Sequence, residues 1–93
     1  MFRRLAPQKV QHSSGYVVQT GDRYSLQYLE GDLCATIEVD FGVITGIYPD
    51  SMSIRHGSQG EVRRPTGIER QEIMDRIKGA LDFMGTKYEI CHR

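Results

Sequence analysis

From Tyr24 to Tyr48 apolar and polar residues alternate along the chain, the period-two pattern of half-buried strands. Tyr24, Leu26 and Tyr28 alternate with Ser25, Gln27 and Leu29, and Glu30-Gly31-Asp32 supplies a reversal. Beyond it Leu33, Ala35, Ile37, Val39 and Phe41 form one face while Cys34, Thr36, Glu38 and Asp40 form the other. Tyr16–Thr20, followed by the turn residues Gly21 and Asp22, reads as an earlier strand. Gly42 allows a tight connection into a further strand, Val43–Tyr48, closed by Pro49-Asp50-Ser51, and Met52 and Ile54 begin a short fifth segment. Strands joined by so few residues can only be antiparallel, because parallel neighbours need a crossover of about a dozen residues.

The period then changes. Thr66 followed by Glu69 is a capping box, and Ile68, Ile73, Ile77, Ala80, Leu81 and Met84 recur at helical spacing until Gly85, a left-handed cap residue. Gly79 inside this helix points to a close backbone approach to the sheet. Tyr88–Cys91 is long enough to return as a final short strand. The expected fold is therefore α+β: an antiparallel meander of four to five strands with one C-terminal helix packed on one face.

The first fourteen residues lack periodicity and hold Arg3, Arg4 and Lys9 with no acidic counterweight, so residues 1–14 read as a flexible basic arm and 15–93 as one α+β domain. At 93 residues the chain has room for one modest core, burying roughly two-thirds of its extended surface. No apolar run approaches the roughly 20 residues of a membrane span, and Met1–Val10 lacks the apolar centre of a secretory signal, so the expected location is the cytoplasm. Cys34 and Cys91 lie far apart, fit neither a metal clamp nor a dense disulfide framework, and read as small buried or half-buried apolar residues.

Charge changes the picture most. The chain is formally neutral, yet Asp22–Asp50 holds six of its twelve acidic residues against one basic residue, Arg23. A sheet so charged suits a basic partner. Glu30, Asp32, Glu38, Asp40 and Asp50 are the candidate contact residues; Glu38 and Asp40 are the sharper pair, because the alternation puts them away from the helix.

Catalytic readings find less support. Glu38 and Asp40 are neighbours on a strand face, but perturbed carboxylate pairs need burial that an open sheet does not provide. His56 and His92 read as surface histidines: no nucleophile is assigned to the first by spacing, and Cys91-His92 is at most half of a four-ligand zinc site. Gly57–Gly60 is not a phosphate loop, since no Gly-Lys-Ser/Thr follows. The loop from His56 to Pro65 is long enough to be functional or mobile. No cofactor, metal or small-molecule substrate is expected, and no enzyme activity.

Tyr28-Leu29-Glu30-Gly31-Asp32 at a hairpin, Ser53-Ile54-Arg55-His56, the helix residues Ile73, Ile77, Ala80, Leu81 and Gly85, and Tyr88-Glu89-Ile90 together resemble the small α+β immunity proteins of bacterial polymorphic-toxin and contact-dependent growth inhibition systems. The resemblance spans roughly Thr20–Ile90. Where that family tends to carry a tryptophan after the position of Ile54, this chain has Arg55, His56 and Gly57. The resemblance implies a protein that binds one cognate toxin domain, such as a nuclease with a basic cleft, and blocks its active site or substrate path. The alternative is a single-strand nucleic-acid binder, with Tyr24 and Tyr28 stacking bases and Arg55, Arg63 and Arg64 meeting phosphates, against which the acidic sheet stands.

Overall fold

The computed structural model describes residues 1–57 and 59–92; Ser58 of the long loop and Arg93 lie outside the described residues. Seven strands, β1 (Phe2–Ala6), β2 (Lys9–His12), β3 (Val17–Thr20), β4 (Ser25–Glu30), β5 (Leu33–Asp40), β6 (Thr45–His56) and β7 (Tyr88–Ile90), lie side by side in chain order. The helix α1 (Gly67–Met84) separates the last two. β1 to β6 pair antiparallel, as their short turns require, whereas β7 runs parallel to β6 because the helix provides the crossover. The α+β class agrees with the sequence pattern; the sheet has more strands than the four to five expected. Among the described residues, no helix is long and apolar enough to cross a membrane.

The first correction concerns residues 1–14, which form the β1–β2 hairpin instead of an arm. Two apolar side chains suffice to dock it. Val10 is completely buried opposite Val18, and Phe2 packs edge-on to His12 and Tyr16 beside the helix. The polar remainder pairs across the hairpin, where the Arg3 guanidinium donates to Gln11 Oε1 at 2.7 Å. An edge hairpin with one buried position in β2 and one half-buried position in β1 has no alternation for a pattern reading to detect.

The second correction concerns Pro49-Asp50-Ser51, which does not close a strand. β6 runs through it for 12 residues. Its register against β5 shifts between Thr36↔Ser53 and Glu38↔Tyr48, leaving Pro49 to Met52 opposite Ile37 in a bulge. Proline lacks an N–H to lose, and such irregular positions are where a strand tolerates it. Ser51 repairs the gap: its Oγ accepts the Glu38 N–H at 2.8 Å and donates to the Tyr48 carbonyl at 2.6 Å. Ser51→Ala leaves that half-buried N–H without its acceptor, and should lower stability by about 1–2 kcal/mol in a denaturant titration while leaving the m-value unchanged.

The helix packs Ile73, Met74, Ile77, Ala80 and Leu81 against Val10, Val18, Leu26, Tyr28, Ile37, Ile47 and Ile54 of the sheet. Ile68, expected on this apolar face, is 76% exposed. It lies nine residues before Ile77, about 180° round the helix at 3.6 residues per turn. Gly79 meets the ring of Phe2, 3.5 Å from where a Cβ would stand, so ordinary side-chain contact occupies its place, not backbone approach.

Both caps form as the sequence indicates. Thr66 Oγ1 accepts the Glu69 N–H, Glu69 Oε1 accepts the Thr66 N–H, and Gly85 adopts φ 74°. Arg63 adds a two-pronged contact to Glu69 at 2.9 and 2.8 Å. That guanidinium first, and the Thr66 N–H second, hold the Glu69 carboxyl at about 2 against an ordinary 4.5. Since the low value belongs to the folded chain, protons bind the unfolded chain first. The stabilisation is therefore present above pH 4.5 and is lost as the pH falls toward 2. Glu69→Gln should flatten the melting temperature against pH across that interval.

Arg63 also pairs with Ile54 through two backbone hydrogen bonds, 2.8 and 2.9 Å, so the long loop returns to the outer side of β6. Gly60 permits the tight path. A Cβ there would come 2.0 Å from the His56 carbonyl oxygen.

Candidate protein-binding face

Directly opposed residues of antiparallel strands share a face, so the register identifies the side of the sheet turned away from the helix. One row crosses five strands as Lys9, Gln19, Gln27, Thr36 and Ser53, with Gln19 Nε2 donating to Gln27 Oε1 at 2.8 Å. A second runs Gln11, Val17, Leu29, Cys34 and Arg55. Toward the β5–β6 end come Ser25, Glu38 and Tyr48, then Asp40, Gly46 and Glu89. The centre of this open face is uncharged and amide- or hydroxyl-bearing. Its carboxylates gather at one end, on β5 and β7.

The five acidic residues named from the sequence separate into two environments. Glu38 and Asp40 belong to the open face, Glu38 half-buried and Asp40 exposed, with the Tyr48 hydroxyl 3.5 Å from Asp40 Oδ2. A recess of about 290 Å³ lies beside Glu38, lined also by Ser25, Thr36, Ser51 and Ser53. Glu30 and Asp50 each meet an arginine of their own chain, and Asp32 lies beside a histidine. Glu30 accepts from Arg76 at 3.1 and 3.2 Å, Asp50 sits 3.5 Å from Arg70 and 3.7 Å from His92, and Asp32 sits 3.7 Å from His56. All these side chains are substantially exposed, so each pair stabilises the fold by less than about 1 kcal/mol. Their effect on the surface is larger, because Arg76 and Arg70 cancel part of the charge that the sequence concentrates in this block.

The chain matches no protein-family model, no curated protein and no solved structure.

On the helix side, Tyr28 is the centre of a polar group. Its hydroxyl donates to Glu30 at 2.9 Å and accepts from Arg76, and burial pushes its pKa up to about 12. The Arg76 guanidinium lies over Tyr16, 5.1 Å from the ring centroid, and Tyr16 stacks on His12 at 4.8 Å. His12 is held below its ordinary pKa, first by desolvation and then by neighbouring positive charge. These contacts tie β2, the turn before β3, β4 and α1 together. Tyr28, considered for base stacking from the sequence, is 1% exposed and packed under the helix, while Tyr24 is exposed in the β3–β4 turn.

His56 pairs with Asp32 where both side chains are well solvated, at 48% and 76% exposure, without the desolvation that tunes a catalytic acid or base. Cys34 and Cys91 are free, half-buried thiols on the open side of the sheet. Two features of the face escape the sequence pattern. Glu89 joins Asp40 across Gly46 only because β7 returns beside β6. Phe41, Val43 and Ile44, read as strand residues, stand in the turn between β5 and β6 and are exposed. Gly42 marks this turn in the sequence, but the apolar residues on both sides of it continue the strand pattern.

Proposed function

We propose that this protein neutralises a bacterial toxin domain by binding it through the open face of the sheet, with Glu38 and Asp40 at the contact. The resemblance to small immunity proteins supplies the partner class, and the position of these two carboxylates on the face away from the helix carries the reading. Charge complementarity toward a basic cleft raises the association rate and selects the partner. Among the acidic residues first considered, Glu30 and Asp50 contribute less to such a surface, since Arg76 and Arg70 offset them.

The direct test is genetic and biochemical. The C-terminal domain of a large secreted protein encoded immediately upstream should arrest growth when expressed alone, and co-expression of this protein should restore it. Failure of the two to bind, or of growth to recover, refutes the proposal.

A further inference from the structure

The turn between β5 and β6 carries three large apolar side chains around a single glycine. Pro7-Gln8, Ser13-Ser14-Gly15-Tyr16, Gly21-Asp22-Arg23-Tyr24 and Gly31-Asp32 make the other turns of the meander, from residues with turn or solvent preference apart from one tyrosine in each of the second and third. Phe41-Gly42-Val43-Ile44 instead presents Val43 at 95% exposure, Ile44 at 52% and Phe41 at 46%. Single exposed apolar residues are common on protein surfaces, but three within four positions of one turn make a patch.

Beside the turn, toward β7, lies a recess of about 340 Å³ floored by Gly46. A side chain at position 46 would stand 3.3 Å from Cys91 Sγ and 3.7 Å from Asp40 Cβ, so the glycine keeps the recess open. Asp40 and Glu89 flank it from the neighbouring strands. Of the cations in adjoining segments, Arg23 is laid over the Tyr24 ring at 5.6 Å, and Lys87 precedes β7.

We infer that this turn is the anchor of the interface: Phe41, Val43 and Ile44 enter an apolar recess of the partner protein whose rim carries lysine or arginine side chains that meet Asp40 and Glu89. The inference rests on the toxin-binding reading and names the partner's chemistry at the contact. Charge selects this occupant over two others. An anionic lipid surface would be repelled by the flanking carboxylates, and a second copy of the chain docking turn to turn would oppose the same carboxylates to each other.

The experiment uses the full chain and the toxic domain encoded upstream, with Val43→Asp as the variant and Val43→Ala as a milder companion. Because Val43 is almost fully exposed, both variants should melt with the unmodified protein. Val43→Asp should weaken toxin binding by about 30-fold or more, the scale of a central interface residue, chiefly through faster dissociation, with Val43→Ala intermediate. Unchanged affinity of Val43→Asp, with binding by the unmodified protein intact, overturns the anchor and leaves the toxin-binding reading standing. Absence of binding by the unmodified protein overturns both. Binding to phosphatidylglycerol–phosphatidylcholine vesicles that Val43→Asp abolishes assigns the turn to lipid instead. A dimer in sedimentation that Val43→Asp dissociates assigns it to a second copy.

Discussion

Val10→Asp is expected to abolish the cooperative fold of this protein at neutral pH. Val10 is completely buried, pairs with Val18 on the neighbouring strand, and belongs to the single core beneath the helix. A carboxylate there either remains charged without a partner or takes up a proton, and both alternatives cost several kcal/mol. A domain of this size has about 5–15 kcal/mol of stability in total. The loss of the methyl contacts adds to the deficit. Circular dichroism and a urea titration decide the matter. The predicted result is a lost or strongly lowered transition, partly recovered at acidic pH where the carboxyl is neutral. Ser14→Asp, at an exposed position of the following turn, should melt with the unmodified protein. If Val10→Asp also melts normally, β1 and β2 are an appendage and the seven-stranded sheet is wrong.

Reversing Glu38 and Asp40 together to lysine is expected to weaken toxin binding by about 100-fold or more, roughly 3 kcal/mol, and to remove protection in co-expression. The change shifts the open face by four charge units at its β5 end without touching the buried side of the strand. Its kinetic signature distinguishes steering from contact. Loss of steering slows association and fades as salt rises, whereas loss of desolvated contact accelerates dissociation and persists. The matching control is Asp32→Lys with Asp50→Lys, which alters charge equally but at positions beside His56, Arg70 and His92. That control should cost binding far less. Equal losses from the two double variants would mean that net charge governs binding, with no role for this face.

Much of the fold was legible because each legible feature is local. The alternation from Leu33 to Val39 corresponds to β5, the capping box at Thr66 and Glu69 starts α1, and Gly85 ends it in the left-handed conformation. The misread parts share a different property. Val10 becomes a core residue, and Phe2 packs against the core, only when β2 meets β3 and the helix lies over Phe2. Pro49 reads as a terminator until Ser51 Oγ replaces the missing ladder partner of Glu38 across 13 positions of chain. Phe41 continues the period of β5 but stands past its end, where the sheet no longer covers it.

The candidate face divides along the same line. Which side of β5 carries Glu38 and Asp40 is determined by the sequence itself, since alternation is a relation between adjacent residues in one strand and survives any arrangement of the rest. Which carboxylates meet an arginine of their own chain is decided only by the tertiary structure. Arg76 reaches Glu30 across 46 positions and Arg70 reaches Asp50 across 20, and β7 brings Glu89 beside Asp40 from the far end of the chain. Charge cancellation depends on distance in space, which falls steeply within a few ångströms, and the path of the helix over the sheet sets those distances without leaving any period in the sequence.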